Sequence, residues 1–388
     1  MLNVRRWIIL VVAFGVVSAL QVSTFTFGAV SIGPSVANAC CPVRPCNGGW
    51  APEPVPGTDP LLDVSADSIH DAWAVGGGSG NGGPHALLEH FAGETAGWSF
   101  VFKGSKSSDN EFFGVDALSG SNVWAVGYKK ASGTAKTYIV HYDGTTFARI
   151  ASPNATGDSF LESVSLDSAG DGWAVGYHTT SAADAPLIEQ WDGVTWSTVS
   201  TPDVGDARLL SVVAISPSDA WAVGFLSSGS VQAPLTEHWD GVGWSVVRTP
   251  DSGDSKLLGV TASSADKVWA SGSRTTPNGR KTLIEYWDGS AWSEQATPDP
   301  GNDPILEDVS AASSGSAWAV GYYVDKNGND VVLVEHWDGS TWSVDASAPS
   351  PGTTSYQDAV SAVSATDVWT VGFRLHNTTR RALTERHC

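Results

Sequence analysis

Seven tryptophans, Trp73, Trp124, Trp173, Trp221, Trp269, Trp318 and Trp369, recur along the chain at intervals of 48 to 51 residues. A valine stands nine residues before each of them (Val64, Val115, Val164, Val212, Val260, Val309, Val360), and a glycine stands three residues after (Gly76, Gly127, Gly176, Gly224, Gly272, Gly321, Gly372). Repetition at a fixed period marks a chain made of stacked units, none of which can bury its apolar face alone. Later in each unit comes Leu-x-Glu-x-Trp-Asp-Gly-x-x-Trp-Ser, clearest at Leu187–Ser197, Leu235–Ser245, Leu283–Ser293 and Leu333–Ser343, and in outline at Leu87–Ser99 and Tyr138–Ala148.

Within these pieces apolar residues alternate with period two, as in half-buried strands: Leu235, Glu237 and Trp239 fall on one face, Trp221 and Val223 on another. Each unit therefore reads as four short strands: a Val-bearing inner strand, the Trp-Ala-Val-Gly strand, the Leu-x-Glu-x-Trp strand and an outer strand. Asp-Gly, a strong hairpin signal, joins the third to the fourth. Pro153, Pro202, Pro250 and Pro298 follow the outer strands, where a missing donor is tolerated. Four antiparallel strands repeated seven times predict an all-β fold, a seven-bladed β-propeller with blades starting near residues 61, 112, 160, 209, 257, 305 and 356. Of 18 tryptophans only Trp7 lies outside the repeats, so the rest are read as packing between blades.

The seventh unit stops at Cys388, before its Asp-Gly turn and outer strand. The missing piece stands at the other end of the chain, where Cys46-Asn47-Gly48-Gly49-Trp50 resembles Asp240-Gly241-Val242-Gly243-Trp244. Trp50 to Pro54 is thus expected to supply the outer strand of the last blade. In this alignment Cys46 and Cys388 both fall on the turn aspartate, so a disulfide between them would replace the missing hairpin; free or intermolecular thiols are the alternative, and Cys40 and Cys41 cannot be paired from sequence.

Arg5 and Arg6, the apolar run from Trp7 to Leu20 and Ala37-Asn38-Ala39 before Cys40 read as an export signal over residues 1–39. Residues 40–60 then form a cysteine-containing segment with the closing strand, and 61–388 the propeller. An uncleaved anchor, lipidation of Cys40 and twin-arginine export are alternatives, and the membrane is expected as a partner only through this leader. The protein is expected to be secreted or at the cell surface, and monomeric. With 41 acids against 21 bases the net charge is −20, which repels nucleic acid.

The repeat resembles that of secreted bacterial propellers built from tandem Trp-Ala-Val-Gly and Trp-Asp/Asn-Gly-x-x-Trp units, over residues 47–388. It is more distantly similar to kelch and Asp-box propellers, since Trp337-Asp338-Gly339-Ser340-Thr341-Trp342 resembles an Asp-box turn lacking its serine and one residue. The resemblance implies a propeller and no particular activity.

Signatures of catalysis are sparse: no Gly-x-Ser-x-Gly, His-Glu-x-x-His, phosphate loop or Cys-x-x-Cys is present. Gly78, Gly80 and Gly83 satisfy Gly-x-Gly-x-x-Gly but precede no helix, so they read as a loop. Glu89, Glu189, Glu237, Glu285, Glu335 and Glu385 recur too regularly for a catalytic acid and read as a structural hydrogen bond repeated in the blades. The same holds for Asp192, Asp240, Asp288 and Asp338 in the turns.

Function is expected where the repeats diverge, on the face bearing the outer-to-inner and second-to-third loops. Tyr128, Tyr177, Phe225, Tyr322 and Phe373, each just after the repeat glycine, are candidates to stack on sugars or to pack between blades. Arg374 and Arg380, with Arg381, Arg274 and Arg280, are candidate anion contacts. Asp203, Asp206, Asp251, Asp254, Asp299 and Asp303, with Asp59, Asp109 and Asp158, are weak candidates to hold Ca²⁺, or else ordinary turn residues. No other cofactor is indicated. The expected function is non-catalytic binding of a glycan or extracellular protein; the alternative is a carbohydrate-active hydrolase or lyase of sialidase-like propeller type.

Overall fold

Blade 4 shows how one repeat folds. Its strands run Ala207–Ser216, Asp219–Ser228, Val231–Trp239 and Trp244–Val246, in that spatial order. Cross-strand pairing sets Trp221 opposite His238 and Val223 opposite Thr236, while Leu235 and Glu237 lie across from Gly224 and Ala222. The alternation read from the sequence is therefore the alternation of the two faces. The computed structural model describes residues 49–80, 83–105, 107–250, 253–346, 348, 354–376 and 379–388, and the leader, Cys40, Cys41, Cys46 and Asp251 lie outside them.

Seven such antiparallel sheets are present, making a seven-bladed propeller. Their inner strands are Leu61–Ser68, Asn110–Ser119, Ser159–Ser168, Ala207–Ser216, Ser255–Ser264, Asn302–Ser313 and Ser355–Ala362, numbered here as blades 1 to 7. The last sheet takes its outer strand, Trp50–Pro52, from the other end of the chain, with Trp50 opposite His387 and Pro52 opposite Glu385.

Tryptophans fill the wedges between blades. Trp244 meets Trp173 edge to face at 4.9 Å, and Trp292 meets Trp221 at 5.0 Å. A residue the sequence reading passed over, between the Glu and Trp of the third strand, completes this packing. His90 stacks on Trp73 at 3.9 Å, and both ring N–H groups reach Asp71 Oδ1, at 3.0 and 2.8 Å. Blade 2 repeats the clasp with His141, Trp124 and Asn122.

Inner strands are sheet edges, and their unpaired N–H groups need acceptors. Each is stitched to its neighbour: Ala117 N donates to Ser65 Oγ, Ala214 N to Ser165 Oγ and Ala362 N to Ser310 Oγ, each at 3.0 Å. Ala66 N donates to Ser361 Oγ, also at 3.0 Å, so blade 7 joins blade 1 as any other pair of blades joins.

Candidate functional site

Every inner strand carries a β-bulge. In blade 4 Leu209 pairs with Gly224 and Ser211 with Val223, so Leu210 has no cross-strand partner. The same skip falls at Leu62, Phe113, Glu162, Leu258, Glu307 and Asp358. The bulge explains the repeat glycine: a Cβ on Gly224 would run into the carbonyl oxygen of Arg208, and the same clash recurs at all seven glycines. Glycine makes room for the displaced strand, and the extra residue is left unpaired on the innermost strand of its blade.

These seven half-buried side chains form a ring around the axis, with carboxylates in blades 3, 6 and 7 and apolar groups in the other four. Groups from different blades feel one another there: burial raises the carboxyl of Glu111 in blade 2, Asp109 adds to the rise and Arg380 of blade 7 opposes it. Burial pushes Glu162 up to about 7 against the pull of Arg208. Asp358 is pushed up to about 8, first by burial and then by Glu307, against Arg380. Proton-holding carboxyls beside guanidinium groups can donate or accept a hydrogen bond to a polar ligand.

A second layer stands at the end of the ring where the outer-to-inner and second-to-third loops meet. That these loops share one face is fixed by bonds such as Ser227 N to Asp206 O and Thr275 N to Asp254 O. Tyr177 stacks on Phe160 at 5.0 Å and carries the Arg208 guanidinium 4.1 Å above its ring, with Arg208 Nε donating to Asp184 at 2.7 Å. Tyr322 meets Tyr356 at 4.7 Å, Tyr356 stacks on Phe373 at 4.6 Å and Arg380 lies 4.6 Å over Phe373. The Tyr356 hydroxyl donates to Asp330 at 2.5 Å. Tyr128 donates to Asp109 at 2.8 Å, and Arg280 donates to the carbonyl of Asp303 at 2.8 Å. Phe225 lies opposite Arg208 across the inner pair of blade 4. Tyr128, Tyr177, Tyr322 and Phe373 thus pack against neighbouring rings, and Tyr128 and Phe373, only 8 and 9% exposed, have little bare ring for a sugar.

The acidic loops serve chiefly as latches between blades. Asp158 Oδ1 accepts from Ala135 N at 2.7 Å, Asp206 from Asp184 N at 3.0 Å, Asp254 from Gln232 N at 2.9 Å and Asp303 from Arg280 N at 3.3 Å, each reaching the preceding blade. Asp299 faces Lys281 at 3.3 Å, and Asp203 bonds only locally, to Gly205 N at 3.4 Å. Among the described residues no three His, Cys, Asp or Glu side chains come together as a metal would require. Asp251 lies outside them. On the opposite face the turn aspartates accept from their own hairpins, as Asp338 does from the Ser340 hydroxyl at 2.7 Å and from Thr341 N and Ser340 N at 2.8 Å, which draws its carboxyl down to about 2.

The repeated glutamates are 1% exposed or less. Glu189 accepts from Ser152 at 2.8 Å and Glu385 from Gln357 at 2.7 Å. Glu89, Glu237, Glu285 and Glu335 have no hydrogen-bond partner among the described residues, so the bond expected in every blade is made in only two. Burial instead holds these four near neutrality, pushing Glu237 up to about 7 and Glu335 to about 8. Gly78 and Gly80 end one strand and Gly83 opens the next, with Gly80 paired to Gly83, so the glycine pattern is a hairpin end rather than a longer loop.

No protein-family model matches the chain, and no curated protein matches it in sequence. Solved structures match it in fold. The structure of YCF48 bound to D1 peptide is 17% identical with a TM-score of 0.55, covering 89% of this chain and 98% of that one. The WD40 β-propeller domain of Doa1 is 12% identical with a TM-score of 0.54, covering 87 and 97%. A polysaccharide lyase, a PL25 ulvan lyase bound to a GlcA–Rha3S ligand, is 10% identical with a TM-score of 0.54, covering 87 and 94%. The class defined is that of β-propellers, and at these identities the likeness is one of fold.

Proposed function

We propose that the chain is a non-catalytic binding propeller, secreted or held at the cell surface, that recognises an extracellular protein or glycan through the face carrying the second layer. One observation carries this reading. The bulge position runs Leu62, Phe113, Glu162, Leu210, Leu258, Glu307 and Asp358, whereas two residues further on every blade has the same valine. A scaffold reuses one residue in every blade; a ligand calls for different groups in different blades. The peptide-bound neighbour in fold supports a protein-type partner, and the covered aromatic rings weigh against a sugar platform. Residues 1–39 would direct export, and a Cys46–Cys388 disulfide would suit an oxidising compartment.

Peptide and glycan arrays test the reading. Binding that is lost in Arg208→Ala and Arg380→Ala, and kept in Val194→Ser and Val242→Ser on the opposite face, is expected; equal losses from both faces would overturn it. Val194 and Val242 are 77 and 88% exposed at the Asp-Gly turns, so the control changes little else.

A second reading, a glycan-cleaving enzyme, is favoured by Glu162 and Asp358, whose raised carboxyls sit beside Arg208 and Arg380. Turnover of an acidic polysaccharide that disappears in Asp358→Asn would replace the first reading with this one.

A further inference from the structure

Three blades place two cations directly opposite each other at the same point of the second-to-third hairpin: Lys129 with Lys136 in blade 2, Arg274 with Lys281 in blade 5 and Arg374 with Arg381 in blade 7. Like charges facing across a strand pair are destabilising unless something neutralises them. In blade 5 both are neutralised: Arg274 meets Glu294 at 2.5 Å and Lys281 meets Asp299 at 3.3 Å. In blade 2 Lys129 lies 5.7 Å over the Tyr138 ring and Lys136 donates to Gly157 O at 3.3 Å.

Blade 7 differs because its outer strand comes from the other end of the chain. Glu294 pairs with Glu285, and at the matching place Pro52 pairs with Glu385. Five residues on, where blade 5 has Asp299, stands Gly57. The two neutralising carboxylates are thus absent from the strand that closes the ring. Among the described residues no carboxylate pairs with Arg374, Arg380 or Arg381 within salt-bridge distance. Residues outside the described set add one acidic side chain, Asp251, in the loop between blades 4 and 5. Glu385, on the same face of the sheet, is buried and bonded to Gln357, and burial pushes its carboxyl up to about 8 against the pull of that bond and of Arg374. Arg374, Arg380 and Arg381 are all exposed.

We propose that this hairpin of blade 7 is the docking site for an acidic peptide segment of the partner, whose carboxylates supply the counter-charges that the closing strand lacks. The inference rests on the binding function above and names the chemistry of its ligand. Two guanidinium groups on one face of a hairpin suit successive carboxylates of a flexible chain, each taken bidentately. Arg380, stacked over Phe373 on the other face of the sheet and within the field of Asp358, marks where the segment would turn toward the axis. An acidic polysaccharide is disfavoured because Arg380 and Tyr356 already cover the Phe373 ring.

Fluorescence anisotropy of a labelled oligoglutamate peptide, with oligogalacturonate and oligolysine as the other arms, tests the proposal on the full chain. Oligoglutamate is expected to bind with an affinity that falls as salt rises and drops at least about tenfold in Arg374→Ala/Arg381→Ala, the loss of two charge-assisted contacts. Arg274→Ala/Lys281→Ala, whose cations are already paired, is expected to bind as the wild type does. No oligoglutamate binding, unchanged binding in the blade 7 variant, an equal loss in the blade 5 variant, or tighter binding of oligogalacturonate would each overturn the proposal. An array ligand that needs Arg208 and Arg380 but ignores Arg374 and Arg381 would sink this inference and leave the proposed function standing.

Discussion

Trp50 meets Trp318 edge to face, with ring centroids 5.7 Å apart and planes at 84°. Trp244 makes the same contact with Trp173 at 88°, and Trp98 with Trp369 at 89°. A residue from the start of the propeller therefore fills the wedge between blades 6 and 7 in the same way that Trp244 and Trp98 fill theirs. Its indole N–H donates to Asp345 at 3.0 Å, Gly49 N donates to Cys388 O at 3.2 Å and Glu53 N donates to Thr384 O at 2.9 Å.

Trp50→Ala is accordingly expected to destabilise the fold by about 2 to 3 kcal/mol, below the usual cost of emptying a fully buried aromatic site because Trp50 is half-buried. Chemical denaturation measures this. A loss within about 0.5 kcal/mol, typical of surface positions, would mean that the strand is not part of the closed ring.

Cys46 and Cys388 are expected to be linked by a disulfide in the protein kept under oxidising conditions. Unreduced peptide mapping should recover the Cys388 peptide joined to the one containing Cys46. Recovery of Cys388 as a free thiol would refute the link, and with it the expected stabilisation of about 4 to 5 kcal/mol from closing so long a loop.

Acidity should act on the buried glutamates. In the unfolded chain they ionise near their ordinary value of 4.5, whereas in the fold Glu89 and Glu237 wait until about 7 and Glu285 and Glu335 until about 8. Between those limits the folded chain holds more protons than the unfolded one, so the contribution of these groups is complete below about pH 4.5 and is lost as pH rises through 7 to 8. The melting temperature is expected to fall from pH 6 to pH 9, and Glu237→Gln to reduce that fall. A flat profile in the wild type would contradict the burial argument.

Gly224→Ala should destabilise by more than about 1 kcal/mol, because the added methyl meets the Arg208 carbonyl and the bulge would have to move. Gly243→Ala, with open space around its Cα, should lie within about 0.5 kcal/mol of the wild type. Melting curves of the two variants, compared at one pH, decide the matter.

Much of the fold was legible because its determinants are repeated. Trp221, Gly224, Leu235 and Trp239 announce blade 4, their counterparts announce the others, and Trp50 could be placed by its likeness to Trp244. The ring around the axis was not legible in that way. Period-two reading carries Leu209 and Ser211 through Leu210 without a break, and only the pairing of Leu209 with Gly224 and Ser211 with Val223 exposes the bulge. One signal was present, since a glycine needed in every blade implies that a neighbouring backbone approaches there. Aromatics after that glycine were found but their cover was not: that Arg208 lies over Tyr177 and Arg380 over Phe373 depends on side chains that meet only across strands and blades. The unneutralised charge of Arg374 and Arg381 became visible only when Pro52 was seen to occupy the place of Glu294.

A chain delivered amino end first presents Trp50 before any of its sheet partners exists, and His387, which pairs with it, emerges last. The ring cannot lock before that partner strand has been made. Until Trp50–Pro52 docks, the third strand of blade 7 keeps a bare edge and Trp318 an open flank, surfaces that invite pairing with other copies. The time between the making of that third strand and its capture of the waiting one is therefore the interval in which this protein is most exposed to misassembly.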